Sequence, residues 1–261
     1  MSAIVNVDAV EKSFGETRVL DPLSFAVEAG EIFGILGPNG SGKTTLLHML
    51  VGLLTPTSGE ITVMGSTPSD VDCRRRIGMA PDDLPLPLAL TGAEFLEMHD
   101  VLRRQKRSPF GDLLIDLFGM EQALGRPLGE YSHGMKRKAQ FIAAFAHDPA
   151  LIVADEPQRG LDPEAAAVFE HAIDIATSAT GAAVIIATHD LDHAADLCDR
   201  VAILHAGRCV AQGSPSEVAS SAGEALSLRD AFLRLTGIHD RLEDARNQLA
   251  AAAGSAEGRS A

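Results

Sequence analysis

The sequence predicts an α/β fold with an antiparallel β subdomain at its start and an α-helical insert in its middle. Apolar and polar side chains alternate over the first thirty residues, a pattern typical of short antiparallel strands. Continuous apolar runs at residues 32–36, 151–154 and 183–187 are typical of buried parallel strands, and helical segments lie between them. The insert is predicted over residues 91–149, where apolar side chains recur at helical spacing.

The length and composition are those of one large domain, or of one core with a smaller subdomain. The chain has 261 residues, of which 46% are hydrophobic, enough to bury a sizeable core. Its 36 acidic residues outnumber the 22 basic ones and give a net charge of −14. This balance disfavours a protein that coats nucleic acid, because that role needs a positively charged surface. We therefore expect no nucleic-acid partner.

Cysteine usage and hydropathy indicate a cytoplasmic protein. The three cysteines, Cys73, Cys198 and Cys209, are widely spaced, which fits a reducing compartment better than a disulfide framework. The N-terminus lacks the pattern of a signal peptide, and no apolar stretch approaches the ~18 residues of a spanning helix. We therefore expect no direct membrane insertion, so that any work at a membrane requires docking to another protein.

The N-terminal elements lead to a glycine-rich turn. Turn signals at residues 14–16 and 21–22 divide the first strands. The apolar strand at residues 32–36 enters the glycine-rich turn, a helix follows, and residues 59–63 form another strand. The apolar side of that helix is predicted to carry Leu46, Leu47, Leu50, Leu53 and Leu54.

Capping signals place two later helices. Thr91 and Glu94 have the spacing of a capping box at the start of the helical insert. Between the two later parallel strands, Asp162 is predicted as an N-cap with Pro163 in the first helical position. Residues 201–211 hold two further short strands.

A phosphate-binding motif follows the first parallel strand. Residues 37–44, GPNGSGKT, match the pattern G-x-x-x-x-G-K-[ST] between a predicted strand and a predicted helix. The glycines let backbone N–H groups surround phosphate oxygens, and the helix N-terminus adds partial positive charge. Lys43 would neutralise the β- and γ-phosphates, and the Thr44 hydroxyl would hold Mg²⁺. The predicted nucleotide-binding residues are Gly37, Pro38, Asn39, Gly40, Ser41, Gly42, Lys43 and Thr44.

Two acids and a histidine follow the later parallel strands. The apolar run at 151–154 ends in Asp155 and Glu156, which would face the ligand crevice at the carboxyl edge of the sheet. Asp155 is predicted to bind Mg²⁺ through water and Glu156 to polarise an attacking water, although a solvated loop is the alternative. His189 follows the next strand and is either structural or catalytic at the same phosphate. The catalytic candidates are Glu156, His189 and Lys43.

With these motifs in this order, residues 3–215 resemble the ATP-binding subunit of an ABC transporter. The P-loop of that family would extend through Thr45, and the acidic pair matches the Walker B aspartate and the catalytic glutamate. His189 matches the switch histidine, and Phe14 lies where the family stacks an aromatic ring on adenine.

The resemblance assigns a role to the stretch YSHGM at residues 131–135. Ser132 and Gly134 match the family's signature sequence, Leu-Ser-Gly-Gly-Gln, while the other three residues depart from it. As a helix start, the stretch could hold the γ-phosphate of ATP bound to another subunit. His133 would either add to that contact or face solvent. The basic residues 136–138 are predicted as a solvated helix face.

Two positions depart from the family pattern in ways that affect the site. Asp82 stands where the family carries a glutamine that touches Mg²⁺, and it is predicted as a metal ligand beside Thr44 and Asp155 because an acid can still approach a metal. Residues 160–162 resemble the D-loop, but Arg159 stands where a small residue is common.

The resemblance implies a P-loop NTPase core of the RecA-like kind. Residues 1–220 would form the ABC ATPase domain, with the core at 1–88 and 150–220 and a helical subdomain at about 89–149. Residues 221–261 would hold a C-terminal helix and a disordered tail.

The resemblance also implies a reaction and partners. A Mg²⁺-dependent ATPase subunit would dimerise head to tail around two ATP, as a homodimer or with a paired ATPase subunit. It would drive a separate membrane permease and lie at the inner face of the cell membrane. The YSHGM stretch and residues 227–237 resemble exporters of the ABC-2 kind. Two alternatives stay open: a soluble ABC ATPase acting on the ribosome or DNA, and a non-catalytic ATP-binding subunit.

Overall fold

The computed structural model describes residues 3–82, 85–223 and 226–239, and residues 241, 242, 244–246, 248 and 249 beyond them. The helices and strands, in chain order, are β1 (Ala3–Phe14), β2 (Thr17–Glu28), β3 (Ile32–Leu36), α1 (Lys43–Leu50), β4 (Ser58–Val63), α2 (Val71–Arg75), β5 (Ile77–Ala80), α3 (Gly92–Arg103), α4 (Pro109–Leu117), α5 (His133–Phe145), β6 (Leu151–Asp155), α6 (Pro163–Thr180), β7 (Ala183–Thr188), α7 (Leu191–Leu197), β8 (Arg200–His205), β9 (Arg208–Gly213), α8 (Pro215–Ser221) and α9 (Leu228–Leu235). Two short 3₁₀ turns, Glu121–Ala123 and Leu128–Glu130, precede α5.

The central sheet places the predicted acids and the histidine at one edge. Its six strands have the order β5-β6-β7-β3-β8-β9, and all neighbours are parallel except β8 and β9. Since β6, β7 and β3 are adjacent, their carboxyl ends meet, with Leu36 beside Thr188 and Asp155 beside Ala187. The predicted α/β fold with parallel buried strands is therefore confirmed.

The antiparallel subdomain is confirmed, but one predicted turn in it is wrong. Strands β2, β1 and β4 form a separate sheet. Asp21 and Pro22 lie inside β2. The pairing with β1 shifts register there, since Lys12 pairs with Leu20 and Val10 pairs with Leu23. This places two residues of β2 opposite one of β1, a bulge with one extra residue, which tolerates a proline because no ladder hydrogen bond from its nitrogen is needed there.

The helix after the glycine-rich turn is shorter than predicted. It ends at Leu50, and Leu46, Leu47 and Leu50 are buried as expected. Leu53 lies outside it and is exposed. Gly52 explains the end, because its φ of +73° is left-handed and an added Cβ would lie 2.2 Å from the Pro68 carbonyl oxygen.

Aromatic rings join the helical insert to the central sheet. Phe141 and Phe145 of α5 pack on Phe169 of α6, with ring centroids 4.5 Å and 6.0 Å apart. Phe118 extends the cluster against Phe141. Because α6 packs beside β7, this cluster fixes the helix that begins at the YSHGM stretch relative to the sheet.

The C-terminal part packs as a helix where it is described. Leu228 and Phe232 of α9 are buried against the main core. The predicted tail at residues 250–261 lies outside the described residues. Within the described ranges, no helix has both the length and the apolarity to cross a membrane.

We predict that Phe169→Ala lowers the free energy of unfolding by about 3–5 kcal/mol, because it removes a fully buried ring that packs between α5 and α6. Urea unfolding followed by circular dichroism measures this change. Ile175→Ala, on the exposed side of the same helix, is the matched control, and we expect it to cost much less. Equal losses in the two variants would show that the aromatic cluster is not a principal contact.

Candidate functional site

The glycine-rich loop between β3 and α1 is closely packed and forms a cradle. A Cβ at Gly37 would lie 2.4 Å from the Leu204 carbonyl oxygen, and one at Gly42 would lie 2.5 Å from Cδ2 of Leu20. Gly42 also has a left-handed φ of +103°. The buried hydroxyl of Ser41 has no hydrogen-bond partner among the described residues. The loop therefore requires glycine at both positions and leaves a buried polar atom for a bound phosphate group.

Lys43 lies at the base of this cradle. Its side chain is buried, and its ammonium donates hydrogen bonds to the carbonyl oxygens of Gly37 at 2.7 Å and Pro38 at 3.3 Å. Burial lowers the pKa of Lys43, and the nearby charges of Glu156 and Asp155 oppose that shift. The ammonium is thus held against the carbonyls of the loop, beside the acids at the end of β6.

Thr44 and Asp155 form the oxygen pair that a metal would need. The Thr44 hydroxyl donates a 2.9 Å hydrogen bond to Oδ2 of Asp155. Burial raises the pKa of Asp155, the Thr44 hydrogen bond lowers it, and the charges of Glu156 and Asp82 raise it further. A hydroxyl and a carboxylate beside a phosphate cradle are donors that suit Mg²⁺, so the residues fit the predicted metal.

Glu156 and His189 are brought together, as the sequence predicts. His189 Nδ1 lies 2.8 Å from Glu156 Oε1, and the Thr188 hydroxyl donates to Glu156 Oε2 at 3.2 Å. The backbone N–H of Glu156 donates to the Ala187 carbonyl, and Glu156 has a left-handed φ of +45°. Sequence reasoning missed Thr188, although its place as the last residue of a buried strand is a signal of the same kind as that of Asp155.

The YSHGM stretch begins α5, as expected. Ser132 is the N-cap, and its hydroxyl accepts a hydrogen bond from the Met135 N–H at 3.2 Å. Ser132 and His133 are exposed. The ring of His133 lies against the loop after β6, because a Cβ added at Gly160 would be 2.5 Å from its Cδ2. Contact between this helix start and a phosphate stays a prediction.

Phe14 and Asp82 each have a partner within the chain. Phe14 is 49% exposed at the end of β1, with the ammonium of Lys12 4.9 Å from its ring centroid. Oδ2 of Asp82 lies 2.6 Å from Nη1 of Arg159. These contacts do not test the adenine contact predicted for Phe14 or the metal contact predicted for Asp82, so both stay predictions.

Arg137 is a residue whose position the sequence prediction got wrong. It is predicted on a solvated helix face, yet it is only 2% exposed. Its guanidinium donates to the backbone carbonyls of Pro81, Asp155 and Glu156, and lies 4.9 Å from the ring of Phe141. The available signal was its position four residues before Phe141, which puts both side chains on the same face of α5.

Comparison with known proteins gives the same assignment as the motifs. A family model described as ABC transporter matches residues 20–159. The chain is 37% identical over 216 residues to the Nod factor export ATP-binding protein I of Rhizobium meliloti (strain 1021), a match that covers 81% of this chain. The chain spans 64% of the length of that relative.

Two solved structures extend the comparison to the fold. The structure of an ATP-binding subunit of an ABC transporter is 29% identical, with a TM-score of 0.84, and the match covers 89% of this chain and 99% of that one. A dimeric post-hydrolysis state of an ATP-binding cassette, bound to ADP and Pi, has a TM-score of 0.72 and 24% identity over 80% of this chain and 98% of that one, which shows the fold alone. The predicted P-loop fold is confirmed by these likenesses, and the chain belongs to the ABC transporter family of ATP-binding proteins.

Proposed function

We propose that this chain is the Mg²⁺-dependent ATPase subunit of a transporter and drives a separate membrane permease. The observation that supports the reaction most directly is the 2.8 Å approach of His189 Nδ1 to Glu156 Oε1. The Thr44–Asp155 pair and Lys43 lie at the same sheet edge. An acid, a histidine, an oxygen pair for a metal and a lysine over a phosphate cradle are the groups that phosphoryl transfer to water needs.

Each side chain has a distinct role in this proposal. Lys43 would exchange its two carbonyl partners for phosphate oxygens and stabilise the charge on the transferring group. Glu156 would orient the attacking water and accept its proton, while His189 would hold the γ-phosphate. Thr44 and Asp155 would hold Mg²⁺, which neutralises charge on the phosphates when bound.

The proposed active form is a head-to-tail dimer around two ATP. The chain contains one P-loop, and the start of α5 at Ser132 is exposed. We infer that this helix start closes over ATP held by the P-loop of a second copy or of a paired ATPase subunit. ATP would drive closure because it binds the dimer better than the separate subunits, and hydrolysis would release them.

The proposed partner is a permease on a separate chain. The relative named above is an export ATP-binding protein, which favours export over import. The helical insert and the segment around Asp82 would form the docking region. In this proposal the chain works in the cytoplasm at the inner face of the cell membrane, with ATP and Mg²⁺ and with no nucleic-acid partner.

We predict that Glu156→Gln lowers the steady-state rate of ATP hydrolysis at least about 100-fold, since the carboxylate is the general base. The variant still binds ATP, so we expect it to accumulate as an ATP-bound dimer. Phosphate release measures the first effect, and size-exclusion chromatography with ATP and Mg²⁺ measures the second.

Glu164→Gln is the matched control, because this acid is exposed in the first turn of α6. We expect it to hydrolyse ATP at the wild-type rate. Undiminished hydrolysis by Glu156→Gln would refute the assignment of the base.

The head-to-tail arrangement makes a separate prediction for Ser132. In the Glu156→Gln background, Ser132→Arg should abolish the ATP-bound dimer, because the long arginine side chain blocks the helix start. The same change should leave ATP affinity of the monomer within about twofold of its parent, since the serine would contact only the partner's nucleotide. Sedimentation measures the dimer, and titration with a fluorescent ATP analogue at low protein concentration measures the affinity.

Ser227→Arg is the control, since Ser227 is also an exposed N-cap, of α9. This variant also loses an N-cap, which costs about 1 kcal/mol, but Ser227 has no place in the proposed site. If Ser132→Arg weakens ATP binding to the monomer, the serine contacts the triphosphate of its own subunit and the proposed arrangement is wrong.

A further inference from the structure

An ion pair links the segment after β5 to the loop after β6. Oδ2 of Asp82 lies 2.6 Å from Nη1 of Arg159, although the two residues are 77 positions apart. Both residues depart from the family pattern, Asp82 in place of a glutamine and Arg159 in place of a small residue. By that resemblance, the pair is a feature of this chain and not of the family pattern.

Asp82 lies next to the segment that carries the metal-binding oxygens, because the guanidinium of Arg137 donates to the carbonyls of both Pro81 and Asp155. The side chain of Asp82 is 24% exposed, so water screens its charge incompletely. The site thus has a third carboxylate at its border, beyond the two that the reaction uses.

The backbone on both sides of the ion pair is held by other contacts. Arg137 donates a hydrogen bond to the carbonyl of Pro81, the residue before Asp82. The N–H of Arg159 donates to the Glu156 carbonyl at 3.1 Å, and Gly160 lies against the ring of His133. Removing the Arg159 side chain would therefore release the Asp82 carboxylate while both loops keep their anchors.

The Arg159 side chain contributes little to the stability of the fold. It is 67% exposed, and an ion pair with a solvent-exposed partner adds little to stability. Its effect is local, because it fixes the direction of one carboxylate and balances its charge.

We propose that Arg159 is a positioning residue that holds the Asp82 carboxylate away from the triphosphate and metal site. The inference rests on the proposed binding of ATP and Mg²⁺ by this chain. With Arg159 in place, Thr44 and Asp155 meet the metal without a third unpaired carboxylate. Without it, Asp82 can turn towards Asp155, where it repels a triphosphate that lacks Mg²⁺ and attracts the cation.

The test compares nucleotide binding with and without metal. A fluorescent ATP analogue is titrated into each variant, in EDTA and in excess Mg²⁺, so that no hydrolysis is needed. We expect Arg159→Met to raise the Kd in EDTA about fivefold and to change it less in Mg²⁺, as for one unpaired charge in a partly exposed site. Asp82→Asn should bind at least as tightly as the wild type, and the Asp82→Asn/Arg159→Met double variant should return to the wild-type Kd.

The chain offers a closely matched control. Arg208 and Asp21 form an ion pair of the same 2.6 Å length, with exposures of 74% and 25% against 67% and 24% for Arg159 and Asp82. We expect Arg208→Met to leave both Kd values unchanged. Arg159→Lys keeps the charge and should stay close to the wild type.

Three results would overturn the inference. Arg159→Met with the same Kd values as Arg208→Met would show that the pair does not act on the site. A double variant whose Kd in EDTA stays as high as that of Arg159→Met would show that Arg159 acts through a group other than Asp82. A wild-type chain that binds no nucleotide in either buffer would refute the proposed function as well. If the wild-type chain binds nucleotide and Arg159→Met has the wild-type Kd values, this inference alone is refuted.

Discussion

The buried guanidinium of Arg137 joins the three chain segments from which the candidate site is built. A buried cation is costly unless hydrogen bonds and opposite charges compensate it. Here the carbonyls of Pro81, Asp155 and Glu156 accept its hydrogen bonds, and the nearby acidic side chains oppose the lowering of its pKa by burial. The two terminal nitrogens of the guanidinium are therefore hydrogen-bonded only when α5, the segment after β5 and the end of β6 lie together, while Nε has no partner among the described residues. That requirement fixes where the acids stand relative to the start of α5.

The end of β6 carries strain that the neighbouring strand offsets. Glu156 adopts a left-handed backbone conformation, which costs a non-glycine residue on the order of 1–3 kcal/mol. Its N–H bonds to the Ala187 carbonyl, and its carboxylate contacts Thr188 and His189, all at the end of β7. The strained turn brings the carboxylate back to the next strand. The adjacency of β6 and β7 is thus a condition for the acid–histidine contact as well as for the sheet.

Local patterns predicted much of the fold and the inner part of the site. The apolar runs, the capping box at Thr91 and the glycine motif each depend on neighbours in the sequence, and each is found where predicted. The turn at Asp21–Pro22 was wrong because a bulge opposite β1 absorbs the proline, a feature set by pairing between strands. The spacing of Arg137 and Phe141 indicates a shared helix face, but the carbonyl partners of Arg137 and the Asp82–Arg159 pair are contacts between segments that the topology brings together, and no local pattern encodes those contacts.

The two ends of α5 are anchored in different ways, and this has a consequence for the proposed dimer. Aromatic packing on Phe169 holds the C-terminal half, while Arg137 ties the N-terminal half to the carbonyls beside Glu156. The helix start at Ser132 is therefore fixed relative to Glu156 by contacts within a single chain. A surface that is already ordered loses little conformational entropy on docking. In the proposed dimer, the free energy of ATP binding would then go into joining two preformed surfaces, so that closing the dimer and completing the site would be one event.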